Sequence, residues 1–223
     1  MPAPESFRRG LRLGTPFAVA GLLLSASFGV LAVQTGLSAW QAVTMSAVVH
    51  AGSAQFAILS VLASGGGFLP AVAAAGLMNA RFLAMGMALA PSVPGRPLSR
   101  AVQAQGMVDP SWVLADRHDG TFDRWLMFGA TLPQYVTFVT GTALGAFGGD
   151  LLGDTDRFGF DAVFPTFFLA LLIVELRRPE SRWVAVVGGA VALALVPFAP
   201  PGVPILAAAV TALVGLAPSR VAR

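Results

Sequence analysis

Residues 13–80 read LGTPFAVAGLLLSASFGVLAVQTGLSAWQAVTMSAVVHAGSAQFAILSVLASGGGFLPAVAAAGLMNA, 68 positions without an Asp, Glu, Lys or Arg. One helical passage through a bilayer takes about 20 apolar residues, so the run is long enough for three. Gly and Ser punctuate chains, and they do so here at 34–38 and 64–67, leaving apolar segments at 13–33, 40–63 and 68–90. Further apolar segments lie at 125–148, 162–175, 183–198 and 203–216.

The whole-chain composition agrees. Of 223 residues, 56% are hydrophobic and 11% charged. Soluble domains carry about 25% charged residues, so this chain lacks the side chains to coat a soluble globule. It is also too apolar for disorder. The expected class is an all-α polytopic membrane helix bundle of six to eight segments, read as a single transmembrane domain over 1–223 with tails at 1–12 and 217–223. The first segment is longer than the apolar core of a cleaved signal peptide, which runs about 7–15 residues, and is read as a retained span. The chain has no cysteine and two histidines, so no disulfide, thiolate metal centre or His-rich metal site is expected, and no cofactor. All 14 basic residues are Arg. They gather at segment ends and form no single stripe, which gives nucleic-acid binding no support and makes them topology signals.

Those signals pose a problem. Arg8, Arg9 and Arg12 precede the first segment; Arg96, Arg100, Arg117 and Arg124 follow the third; Arg177, Arg178 and Arg182 follow the fifth; Arg220 and Arg223 end the chain. The positive-inside rule asks for every group on the cytoplasmic side. Three simple crossings from a cytoplasmic N-terminus would put the second group outside. Two repairs are open: one of the first three segments is broken or re-entrant, or residues 101–115 cross as an irregular element. Both predict discontinuous elements, which a membrane tolerates where they line a cavity. Both leave the two termini cytoplasmic, in a bacterial inner (plasma) membrane protein.

Polar residues inside the apolar segments are the functional candidates. Arg81 lies two-thirds along the third segment, where a guanidinium costs about 2.5–3.5 kcal/mol to insert. It reads either as an interfacial anchor or internal ion pair, or as a fixed charge for a substrate carboxylate. Asn79 shares a cavity with it only if the helix is unwound there. In His50-Ala-Gly-Ser-Ala-Gln-Phe56, His50 and Ser53 share a helix face, and Gly52 permits close backbone approach. Ser53, Gln55 and His50 read as interhelical hydrogen bonding or as a polar site for a zwitterion. Asp109, before Pro110, reads as a turn or cap residue, or as the partner of Arg81 or a substrate ammonium, or as a proton relay with His50. Asp161 and Glu175 flank the fifth segment. Gly141, Gly145 and Gly149 make a packing stripe.

These pieces resemble the AzlC-type permeases of branched-chain amino-acid export. The matching residues are Phe28-Gly29, Thr35-Gly-Leu-Ser38, Ala51-Gly-Ser-Ala-Gln-Phe56, Asn79-Ala-Arg81, Leu89-Ala-Pro91 and Phe158-Gly-Phe-Asp161-Ala-Val-Phe-Pro165-Thr-Phe-Phe-Leu-Ala-Leu171. The resemblance implies gradient-coupled export of Leu, Ile, Val and Met, with a small AzlD-type membrane subunit as partner. The chain departs from the family at His50, where an aromatic or apolar residue is common, at Phe82, where His is frequent, and at Pro110, where a second acid is expected. A secondary transporter for small amino acids is therefore the leading expectation. Arg81, Asn79, Gln55 and Ser53 would hold substrate, and Asp109 and His50 would meet the ammonium or carry a proton. A channel or non-transporting scaffold subunit is the alternative, and an intramembrane serine hydrolase built on Ser53 a remote one.

Overall fold

The computed structural model describes residues 3–149 and 179–199, with scattered positions among 166–177 and 203–208. The described residues are helical apart from loops and one isolated antiparallel bridge, Asp116 to Phe122, as expected of an all-α bundle. Contacts divide the chain into two compact units, Met1–Gln55 with Asn79–Gly153, and Phe56–Met78 with Asp154–Arg223.

The first unit is organised by α1 (Ala3–Gln34) and α8 (Arg124–Gly148). Residues 3–12, expected as a tail, are the opening turns of α1. Small residues let the two backbones touch. A Cβ on Gly10 would lie 2.3 Å from the Leu126 carbonyl oxygen, one on Gly14 2.2 Å from that of Ala130, and one on Gly29 2.3 Å from that of Thr142. From the other side, Cβ atoms on Gly129 and Gly145 would meet the carbonyl oxygens of Phe7 and Ala26 at 2.1 and 2.0 Å. No real Cβ fits there, so glycine is required by contact on both helices. Gly149 is different: its Cβ would meet Val30 at an ordinary 3.6 Å. Contact positions rise together along both helices, so α1 and α8 run parallel and begin on the same face. The Ser6 hydroxyl confirms the register, donating to Asp123 at 2.9 Å. Asp123 caps α8 by accepting from the Trp125 and Leu126 amides and pairs with Arg117 at 3.2 Å.

α2 (Ala39–Val49) starts at the far end of α8, where Trp40 packs edge-on against Phe147. Ser38 and Gln41 close its capping box. It stops at His50, whose φ of 42° and ψ of 44° are left-handed, a conformation rare for any residue with a Cβ. His50 packs edge-on against Tyr135 and Phe138, roughly 11 to 14 residues, or about 16–21 Å, into α8 from Arg124 at 1.5 Å per residue. α3 (Gly52–Ala63) resumes after Ala51. The second apolar segment is thus broken near the mid-level of α8.

The third segment is broken as well. α4 (Phe68–Asn79) ends and α5 (Arg81–Leu89) begins with Ala80 between them. After the 3-10 turn Ala90–Ser92, the Ser92 hydroxyl accepts from the Phe122 amide, so α5 ends at the face where α8 begins. The chain then enters and returns. α6 (Pro97–Ala104) leaves that face, where Arg100 donates to the Ala90 carbonyl. At its tip the Gly106 carbonyl accepts from Thr131 at 2.6 Å. α7 (Asp109–Ala115) runs back to the Asp116–Phe122 bridge. In place of the irregular crossing considered for 101–115 there is a helical hairpin: Pro97 and Pro110 start two helices too short to span, and Gly106 turns between them. Arg96, Arg100, Arg117 and Arg124 consequently share the face from which α1 starts. The hairpin is held by an apolar core that includes Leu89, Met107, Phe122 and Met127.

In the second unit, Ala57 and Val61 of α3 pack on Ala71 and Ala74 of α4. The sixth apolar segment is found as α9 (Pro179–Leu195). Asp161, Glu175, most of 162–175 and 203–216, and the tail 217–223 lie outside the described residues.

Candidate functional site

The starts of α3, α5 and α7 meet in the first unit, and each contributes a polar side chain. Arg81 opens α5, Asp109 opens α7, and Ser53 is the second residue of α3. Arg81 Nη2 lies 2.8 Å from Asp109 Oδ2 and donates to Ser53 Oγ at 3.2 Å. The guanidinium carbon also stands 5.3 Å over the Phe82 ring. An Arg–carboxylate contact of this length is a charge-assisted hydrogen bond, and it offsets the cost of holding a guanidinium among apolar helices. The Trp112 indole donates to the Met85 carbonyl at 3.3 Å and fastens α7 to α5 behind the pair. Both charged side chains remain about half exposed, at 45% and 50%. The pair is therefore formed but reachable.

Beside it lies a cavity of about 340 Å³ whose walls include His50, Asn79, Phe82, Gln105 and Met107. Arg81 itself is not in that wall; its neighbours Asn79 and Phe82 are. Helices α4 and α5 are bent by 41° at Ala80, whose backbone stays in the right-handed helical region, so the unwinding that would have put Asn79 and Arg81 on one cavity is not found. Buried Oδ1 of Asn79 and Nδ1 of His50 have no hydrogen-bond partner among the described residues. Such atoms cost about 1–3 kcal/mol each when left unmet, and both are covered rather than presented to the cavity.

Gln55 is placed differently. It is fully buried, and its Nε2 donates to Ser46 Oγ at 3.0 Å, which in turn is 2.7 Å from Thr142 Oγ1. This chain ties the broken α2–α3 pair to α8, and Gln55 Oε1 has no partner among the described residues. Gly52 does not bring backbones together: its Cβ would meet Leu24 and Phe138 at ordinary distances of 3.6 Å and beyond. Of the residues singled out in the sequence, Arg81, Ser53 and Asp109 come together, Asn79 and His50 line the neighbouring cavity without Arg81, and Gln55 stands apart; Ser46, Thr142 and Thr131 were not foreseen. The last three carry no spacing signal, because their partners are 9 to 96 residues away.

His50 and Ser53 share a helix face only if the helix is continuous, and the break at His50 removes that premise. The Ser53 hydroxyl accepts from Arg81, and His50 offers it no base among the described hydrogen bonds. No group of three or more His, Cys, Asp or Glu placed to hold a metal occurs among the described residues.

Residues 16–152 match the family model described as AzlC protein. The chain belongs to the AzlC family. Among AzlC relatives, an uncharacterized membrane protein of Archaeoglobus fulgidus is 31% identical, covering 84% of each chain. The Escherichia coli inner membrane protein YgaZ is 29% identical over 81% of this chain and 78% of its own. The branched-chain amino acid transport protein AzlC of Bacillus subtilis is 25% identical over 82% and 73%. No solved structure matches. The AzlC match takes in α2 to α8 and nearly all the apolar part of α1, hence every residue of the polar cluster. A family of membrane proteins fits helix α1, which is long and apolar enough to cross a bilayer alone.

Proposed function

We propose that this chain is a secondary transporter that exports branched-chain amino acids, Leu, Ile, Val and also Met, across the bacterial inner membrane, driven by an ion or proton gradient and working with a small AzlD-type membrane subunit. The observation that carries the reading is Arg81 held by Asp109 and Ser53 where three helices start inside an apolar bundle. A zwitterion matches this arrangement. Its carboxylate takes the place of the Asp109 carboxylate on Arg81, supported by Ser53 and Asn79. Its ammonium goes to the Asp109 carboxylate so released. Each ion is exchanged for another of the same sign, so no charge is left unpaired in a poorly polar site, which is the costly alternative. Gln55, in the same first turn of α3 but on another face, steadies the start of that helix through its hold on Ser46. His50 and Asp109 are the groups able to pass a proton during the cycle.

The shared face of α1 and α8 supports a topology in which Arg8, Arg9, Arg12 and the Arg96–Arg124 group are all cytoplasmic. Both termini are assigned to that side.

Counterflow of labelled leucine into proteoliposomes, with and without a pH gradient, tests the proposal. The wild type should concentrate leucine in a saturable, gradient-dependent way, and Arg81→Ala should abolish this while keeping its elution profile and melting curve. Flux that neither saturates nor responds to the gradient would favour a channel. Unaltered flux in Arg81→Ala would remove the guanidinium from the site.

A further inference from the structure

A second cavity, of about 410 Å³, lies between α2, α8 and the tip of the α6–α7 hairpin. We infer that it receives the uncharged side chain of the amino acid whose carboxylate meets Arg81, and that Val48, Phe128 and Leu132 set which side chains are accepted. The inference rests on the transport reading above and names the part of the site that chooses among substrates.

The size is that of a small-molecule site, about 300–1,000 Å³. The wall chemistry is more telling. His50 and Gln105 stand where this cavity adjoins the first, and its other polar members are already committed: Thr131 Oγ1 donates to the Gly106 carbonyl at 2.6 Å, and the Tyr135 hydroxyl donates to the Ala47 carbonyl at 2.9 Å. What they leave facing an occupant is aliphatic and aromatic surface from Val48, Phe128, Leu132 and the Tyr135 ring. A polar side chain resting on the Val48, Phe128 and Leu132 surface would lose water and find no partner there.

The position also fits. His50 and Gln105 belong to the walls of both cavities, so an amino acid with its charged groups on the Asn79 side has its side chain directed past His50. His50 is turned into this partition by its left-handed backbone and is braced edge-on by Tyr135 at 5.1 Å. Gly106 contributes by what it lacks. A Cβ there would come within 2.7 Å of Phe128 Cδ1, so its absence lets the Phe128 ring stand against the hairpin tip as one wall.

The test is competition against labelled leucine counterflow by alanine, valine, leucine, methionine and phenylalanine, using the full chain in proteoliposomes. In Leu132→Trp the indole fills the cavity, and leucine and methionine should lose about tenfold or more in apparent affinity relative to alanine, the scale of removing one methylene contact. In Val48→Ala the cavity is enlarged, and phenylalanine should improve relative to valine. Should Leu132→Trp fail to fold, Val48→Ala reads the same wall in the opposite direction. Uniform shifts for every competitor, or no shift in either variant, would overturn the inference while leaving transport intact. Absence of amino-acid flux in the wild type would overturn the transport reading, and this inference with it.

Discussion

Arg81 Nη2 stands 2.8 Å from Asp109 Oδ2, although the two residues belong to different short helices, α5 and α7. Neither helix is long enough to cross a bilayer. Their first residues meet because Ala80 interrupts one segment and Gly106 turns the other back. If Asp109 takes the substrate ammonium, Asp109→Asn forfeits a charged hydrogen bond worth about 1.5–3 kcal/mol. The KM for leucine should then rise by roughly 10- to 150-fold at 1.4 kcal/mol per decade. A fall in KM would mean that Asp109 merely competes with substrate for Arg81.

The contact between α1 and α8 predicts a sharp difference among glycines. Gly14→Ala, Gly29→Ala and Gly145→Ala each force a backbone shift and should cost about 1–3 kcal/mol, read as a lower melting temperature in detergent. Gly21 meets nothing within 4 Å, and Gly21→Ala should melt at or above the wild-type temperature.

Asp123 predicts a pH dependence. Burial raises its pKa, but the Leu126 amide, the Ser6 hydroxyl and the Arg117 guanidinium together hold it below the ordinary carboxylate value. A depressed folded-state pKa gives stability that is present above the unfolded value, about 3.9, and is lost as pH falls through the folded value. Asp123→Ala should therefore cost about 0.5–2 kcal/mol at neutral pH, the worth of a helix cap. The gap to wild type should close in melts below about pH 4. A gap that persists in acid would assign the loss to packing.

The proposed orientation is open to single-cysteine labelling, since the chain has no cysteine of its own. Ser99→Cys and His118→Cys should resist a membrane-impermeant maleimide in intact cells, and Thr35→Cys and Gly148→Cys should react. The reverse pattern would invert the topology, and labelling of all four would contradict a shared face.

Much of this was legible in the sequence, and the rest was hidden for physical reasons. An uncharged run of 68 residues leaves few alternatives to a membrane bundle, and Arg81 is conspicuous because a guanidinium is costly there. The conflict between Arg96–Arg124 and a three-crossing topology correctly announced a discontinuity. It did not say where, because a break at Ala80 leaves no mark in an Ala-rich segment, and His50 gives no sign in sequence that it adopts a left-handed backbone. Residues 101–115 read as a weak crossing because hydropathy cannot distinguish a segment that passes through from one that turns at Gly106. Gln55 looked equivalent to Ser53, yet residues two apart on a helix face apart, and one joined Ser46 while the other joined Arg81.

The most direct measurement is ligand-induced thermal stabilisation of the purified chain, which reports binding without requiring transport. Leucine should raise the melting temperature of the wild type. 3-Methylbutylamine, the same molecule without its carboxylate, should not, and leucine should have no effect on Arg81→Ala. Equal stabilisation of Arg81→Ala and wild type by leucine would contradict the account.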